Sequence, residues 1–167
     1  MSLIIAGVLG PGEDASDEDI RIAFELGRLA AGQGWVLLTG GRAAGVMDAA
    51  SRGAKAAQGI VVGILPGQDA EGMSAAVDIP IITAMHESRN NINVLSSRIL
   101  FFVGMNAGTA SELALALKSR RPTILVNQRE DVVRLFSTMS AGALVTAPDA
   151  ATAIQRAQHL LAVPRPE

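Results

Sequence analysis

Cysteine is absent from this chain, which removes disulfides, thiolate metal ligands and thiol nucleophiles together. Aromatic residues make up only 3% of it: four phenylalanines, one tryptophan and no tyrosine. The core must therefore be aliphatic, and a bound ligand finds little to stack on, so recognition has to come from hydrogen bonds and charge. Neither sign of charge dominates, since 14 Lys and Arg against 16 Asp and Glu leave a net −2. Without a basic run, broad affinity for nucleic acid is not expected, and any anion site must be local. The two histidines, His86 and His159, stand far apart in the sequence with no acidic cluster beside either, so no metal site is expected. No apolar run approaches the ~18–20 residues that a membrane helix needs. The opening MSLIIAGVLG has no basic n-region and is too short for a signal peptide. These absences predict a soluble, cytoplasmic protein with no membrane partner.

What is present is an alternation. Short apolar runs at 3–9, 35–39, 60–65, 79–83, 99–103 and 123–126 read as strands, with a weaker one at 143–146. Several are apolar at every position, as parallel strands covered on both faces are. Helical patterns lie between them. Ser16 and Asp19 have capping-box spacing ahead of an apolar side carried by Ile20, Phe24, Leu26, Leu29 and Ala30, and Gly32 and Gly34 close that helix. Further helices are predicted over 46–58, 87–97, 108–119, 130–139 and 148–161, the last behind Pro148. The order implies a single α/β domain over residues 1–163, a doubly wound Rossmann-like parallel sheet with helices on both faces, followed by a frayed tail at 164–167. In such sheets ligands sit beyond the carboxyl ends of the strands, near the switch in strand order.

Four loops follow strands there. Gly10-Pro11-Gly12-Glu13-Asp14-Ala15 has the spacing of a dinucleotide fingerprint. Pro11 lacks an N–H, Glu13 and Asp14 would repel a pyrophosphate, and the second strand ends in Leu38-Thr39-Gly40-Gly41 without an acidic residue for a ribose. NAD is not expected, and a tight turn accounts for the loop. Gly40, Gly41 and Gly45 surround Arg42 and open a helix, which offers bare backbone N–H groups, a helix N-terminus and a guanidinium to an anion. Close strand–helix packing accounts for Gly45 alone. Ser88, Arg89, Asn90, Asn91 and Asn93 crowd the start of the next helix with hydrogen-bonding groups; a solvated helix face is the simpler account. After the fifth strand come Gly104 and Asn106, then Gly108 and Thr109, with Glu112 one turn on. Thr109 can offer N–H and hydroxyl to an anion, or can belong to a helix cap with Glu112 facing the dipole. Together these turns predict a cup of main-chain amides for an anionic group, most simply a phosphate.

The run Gly40-Gly41-Arg42-Ala43-Ala44-Gly45-Val46-Met47 resembles the GGxxxGxM signature of the LOG, or "lysine decarboxylase-like", Rossmann superfamily, and Gly108-Thr109-Ala110-Ser111-Glu112 resembles its G-T-x-x-E motif. The likeness runs from residue 3 to about residue 127. Within it, GVMDAASRGAKAA, VVGILPG and GTASELALALKSRRPTILV are similar to the molybdenum cofactor carrier subgroup. That resemblance implies a non-enzymatic carrier of the molybdenum cofactor, a pterin-dithiolene-phosphate ligand of molybdenum. It implies a phosphate on Gly40, Gly41, Arg42 and the helix start at Gly45, Val46 and Met47. A second anionic part would fall on Gly108 and Thr109, and Ser88, Arg89, Asn90 and Asn106 would bond the pterin or oxo ligands, with Gly104 and Glu112 completing the set. It also implies a homo-oligomer, dimer or tetramer, with molybdoenzyme clients. The apolar helices after Gly45 and over 111–117 are expected to carry the subunit contacts.

The alternative is the cytokinin-activating branch, which cleaves nucleoside 5′-monophosphates with an Arg-Lys pair and the Glu of P-G-G-x-G-T-x-x-E. Arg89 and Glu112 match its catalytic residues, but Asn90 stands in place of the lysine and Gly104-Met105-Asn106 in place of P-G-G. A nucleotide-sensing module is a third possibility. The decarboxylase label itself has no pyridoxal-phosphate equipment behind it.

Overall fold

The computed structural model describes residues 3–140 and 144–162. Their seven strands form one all-parallel sheet in the order β4-β3-β2-β1-β5-β6-β7, with β1 Ile5–Leu9, β2 Val36–Thr39, β3 Val61–Leu65, β4 Ile79–Ile82, β5 Ile99–Val103, β6 Thr123–Val126 and β7 Leu144–Ala147. Strand order reverses between β1 and β5, so the loops after these two strands diverge and leave a crevice at the sheet's carboxyl edge. The central strands are apolar throughout because both their faces are covered. Ala6, Val8, Phe101 and Val103 point into one layer, and Leu9, Leu100 and Phe102 into the other.

The first layer holds α1 Asp17–Gly32, α2 Gly45–Ala56 and α6 Ala150–Ala162. The expected capping box starts α1: Ser16 Oγ accepts from Asp19 N–H at 3.1 Å, and the Asp19 carboxylate accepts from Ser16 N–H at 3.0 Å. Helices α1 and α2 pack so closely that a Cβ on Gly53 would fall on the Phe24 carbonyl, 2.8 Å from its carbon. The second layer holds α3 Asn90–Ser96, α4 Ala107–Lys118 and α5 Glu130–Met139.

Several expectations need adjustment. The helix predicted over 87–97 divides into a 3-10 turn, His86–Arg89, and the short α3, because Ala84 and His86 take left-handed backbone (φ 52° and 48°) and no side chain caps the turn. Helix α6 starts two residues later than Pro148 suggests, where the Asp149 carboxylate accepts from Thr152 N–H at 2.7 Å. The seventh strand covers Leu144–Ala147, shifted by one, and residue 143 lies outside the described residues, as does the tail at 164–167. The alanine face of α2 is not free for subunit contacts: Ala49, Ala50 and Ala54 are fully buried in the layer that α1 shares. Exposed apolar side chains gather instead on the edge strand, at Ile79, Ile81 and Ile82, and at Met85, Leu95, Leu135 and Met139.

Replacing Gly53 with Val should force α1 and α2 apart. Overpacking of this kind costs ~1–3 kcal/mol, read as a lower urea midpoint, whereas Ala151→Val on exposed helix surface should move the midpoint little.

Candidate functional site

A cleft of about 290 Å³ opens at the β1/β5 switch, lined from β2 across to α4 by residues that include Gly40, Arg42, Met47, Arg89, Asn90, Asn106, Gly108, Thr109 and Glu112. Nine expected site residues thus come together from three separate stretches of chain. The other five do not line it. Gly41 turns (φ 76°) behind the cleft, its N–H donating to Thr39 Oγ1 at 3.0 Å and its Cα packed against β3. Gly45 lets α2 sit on the Pro11 and Gly12 carbonyls, and the Val46 N–H is taken by Pro11 O at 3.0 Å. Ser88 is exposed on the 3-10 turn with its N–H donated to Met85 O. Gly104 faces a neighbouring hollow with Ser16, Asp19 and Gln128.

Gly40 explains the bareness of the second turn. A Cβ there would lie 2.6 Å from Arg89 Nη1 and 2.7 Å from the Met47 sulfur. The missing side chain therefore makes room first for a guanidinium of the protein itself. Arg89 is half-buried; burial pulls it below the usual guanidinium range, nearby Glu112 opposes that, and Arg42 adds to it. Its Nε is buried without a partner. A second orphan, Asn93 Oδ1, belongs to the residue one helical turn further on. Asn93 Nδ2 donates to Glu112 Oε1 at 2.8 Å, so Arg89, Asn93 and Glu112 form one polar cluster beneath the cleft.

The first turn of α4 is already engaged. Asn106 caps it, Oδ1 accepting from Thr109 N–H at 2.9 Å and from Thr109 Oγ1 at 3.0 Å. Asn106 Nδ2 in turn donates to both carboxylate oxygens of Asp14, each at 3.1 Å. An anion arriving at Thr109 must displace that cap, so the N–H and hydroxyl expected to meet it are held in reserve. Arg42, 47% exposed, stands at the other end with Glu13 Oε1 3.5 Å from its Nη2. The two acids that argued against a dinucleotide thus brace the cationic and amide groups at the rim.

Sequence reasoning missed five lining residues. Leu9, Gly10, Pro66, His86 and Glu87 also line the cleft, and only the sheet's strand order brings Pro66, after β3, beside them. Asn93 had the one available signal, its spacing of four from Arg89. Among the described residues, no group of three or more His, Cys, Asp or Glu is placed to hold a metal ion.

Glu112 is 8% exposed, and its pKa rises from the ordinary glutamate value to about 7, chiefly because burial penalises the charge; Asn93 and Arg89 pull it back only in part. A folded-state value above the unfolded one gives stability that is complete below about pH 4.5 and lost as pH climbs through about 7. The loss amounts to about 3 kcal/mol at most. Unfolding free energies measured at pH 4.5, 6 and 8 should fall with pH in the wild type, and the fall should be smaller in Glu112→Gln.

Comparison with known proteins bears on the family and the fold. The molybdenum cofactor binding protein of the phototrophic bacterium Rippkaea orientalis is 45% identical and superimposes with a TM-score of 0.95, over 96% of this chain and 99% of that one. The molybdenum cofactor carrier protein of Chlamydomonas reinhardtii is 46% identical with a TM-score of 0.92, over 97% and 100%. An uncharacterised protein of Archaeoglobus fulgidus shares 41% identity over 144 residues, which is 83% of this chain and 91% of its own. The resemblance drawn from the glycine motifs is borne out. Residues 3–154 match the SLOG cluster4 family from end to end of the sheet, and the chain belongs to that family.

Proposed function

We propose that this protein binds and carries the molybdenum cofactor in the cleft at the β1/β5 switch. The observation that carries the reading is the cleft's composition: two arginines, Arg42 and Arg89, with amide side chains and bare main chain, in a pocket with no Phe, Tyr or Trp among its described lining residues. Such a pocket suits a polar ligand with a phosphate and many hydrogen-bonding atoms. Two relatives about 45% identical to it are described as a cofactor-binding and a cofactor carrier protein.

In this reading the phosphate meets Arg42, Arg89 and the main chain at Gly40. The pterin lies toward Asn90, Asn106 and Glu112, and the molybdenum oxo end toward Gly108 and Thr109. Gly41, Gly45, Val46 and Gly104 serve by shaping the turns that hold those groups, and Met47 supplies the apolar floor. Strand β1 lies between β2 and β5, so the two ends of the cleft are about 10 Å apart. The chain's own work is to hold the phosphate by charge, orient the ring by hydrogen bonds and withdraw the reactive end from water. The single domain spans residues 1–163, and molybdoenzymes are the clients.

A phosphoribohydrolase would use Arg89 and Glu112 on a nucleoside monophosphate, but Asn90 leaves it one cation short. Freshly purified protein, denatured and oxidised, should release a fluorescent pterin, and incubation with AMP should yield no ribose 5-phosphate. Arg42→Ala and Arg89→Ala should each lower the recovered pterin about tenfold or more, the worth of a charged hydrogen bond. Ribose 5-phosphate production that Glu112→Gln abolishes, without any pterin, would reverse the assignment.

We further propose a homo-oligomer, dimer or tetramer, joined through the exposed isoleucines of β4. Pro80 removes a backbone donor from this edge, so side chains rather than strand pairing would make the contact. Light scattering should give a mass of two or four chains, and Ile81→Glu should reduce it.

A further inference from the structure

Glu112 is the buried ionisable group for which a carrier has no catalytic task. A carboxylate 8% exposed, raised to about pKa 7 by its burial, is costly unless something repays it. Its Oε1 is fixed by Asn93 Nδ2 at 2.8 Å, and Asn93 is itself fully buried, so the carboxylate plane is set from α3 while its backbone is set by α4. Among the described residues no hydrogen bond reaches Oε2, although Glu112 lines the cleft. A carboxylate offers about four acceptor sites in one plane. Asn93 occupies one, and a fork formed by both oxygens is left for a ligand.

Such a fork selects a particular kind of edge. Phosphate and oxo groups present acceptors and would be repelled. An adenine edge pairs one donor with one acceptor and uses only half of it. Two adjacent N–H donors on one planar ring fill it. Resting on the cofactor-carrier reading, we propose that Glu112 is the specificity-determining residue of the cleft and grips the amino group and neighbouring ring N–H of a 2-amino-4-oxopyrimidine ring, the edge shared by pterins and guanine. The placement agrees with the charge distribution, since Glu112 belongs to the α4 wall while Arg42 follows β2, on the other side of β1. Ligand donors favour the ionised carboxylate, so binding displaces the proton that burial keeps there near neutral pH. Arg89 is the charge that acts on it directly; Glu87 and His86 on the 3-10 turn and Arg42 on the β2–α2 loop share the cleft, with Glu13 on Arg42 and Asp14 on Asn106 at its rim.

The test uses two probe pairs that differ at the 2-position: GMP with IMP, where hydrogen replaces the amino group, and pterin with lumazine, where an oxo group replaces it. In the wild type the amino-bearing member of at least one pair should bind at least tenfold more tightly, and Glu112→Gln, of nearly equal volume, should bring that ratio below about twofold. A structural role would weaken all four probes alike and leave the ratio unchanged, which would overturn the proposal. Should Glu112→Gln fail to fold by circular dichroism, the wild-type ratio itself decides: it should grow between pH 6 and 8, and a flat profile overturns the idea. Discrimination confined to the pterin pair assigns a pterin. Discrimination confined to GMP assigns a guanine nucleotide and, with no pterin recovered from the purified protein, keeps this proposal while removing the carrier reading. Recovered pterin with no discrimination in either pair removes this proposal alone.

Discussion

The Arg89 guanidinium lies over Gly40 at a distance that any side chain there would block, the built Cβ falling 2.6 Å from Nη1. Much else is arranged around that approach. Arg89 is carried on a short 3-10 turn that left-handed residues at Ala84 and His86 make possible. It is withdrawn far enough from water for burial to lower its pKa, and near enough to Glu112 for the two charges to influence each other. Taking a guanidinium out of water is unfavourable unless an anion or a set of acceptors compensates. Glu112, itself close to half-protonated at neutral pH, compensates only in part. The Arg89 guanidinium, its Nε without a partner, therefore keeps donor capacity for an anion that enters.

The sheet makes this possible at a distance. Reversal of strand order between β1 and β5 leaves the loops after β2 and β5 facing one another across the end of β1, and α2 and α4 begin from those loops. The layer above is tight, with Gly53 against the Phe24 carbonyl and the alanines of α2 buried, so the α2 wall of the cleft has little freedom to move. The opposite wall, packed through Leu113 and Ala116, also carries polar contacts at its cleft-facing end. Asp14 binds Asn106, Asn106 caps α4, and Glu112 leans on Asn93. Both walls are thus packed, and the first turn of α4 adds hydrogen bonds that a ligand could exchange.

The acidic loop Glu13–Asp14 shows how one feature can be read correctly yet incompletely. Its charges do argue against a pyrophosphate beside Gly10 and Gly12. Folded, they also occupy Arg42 and Asn106, the groups an incoming anion would seek. A ligand must then compete with two carboxylates of the protein, which penalises weak or singly contacting anions.

The strand and helix alternation was legible residue by residue, since all-apolar runs of four to seven residues separated by glycine turns admit few other folds, and the paired glycine motifs identified the family. The local sequence also determined the capping box at Ser16 and offered nine of the residues that line the cleft. Which face each loop would turn to the ligand was not legible. Gly40, Gly41 and Gly45 look alike in the chain, yet one admits a guanidinium, one packs on β3 and one seats α2 on the first loop. Thr109 looks open, yet a side chain three residues earlier already holds it. Periodicity and turn chemistry act over a few residues and are written in the sequence. Burial, the pKa of Glu112 and the meeting of Arg89 with Gly40 depend on atoms about 20 to 70 residues apart that only strand order brings together, and the tertiary structure alone decided them.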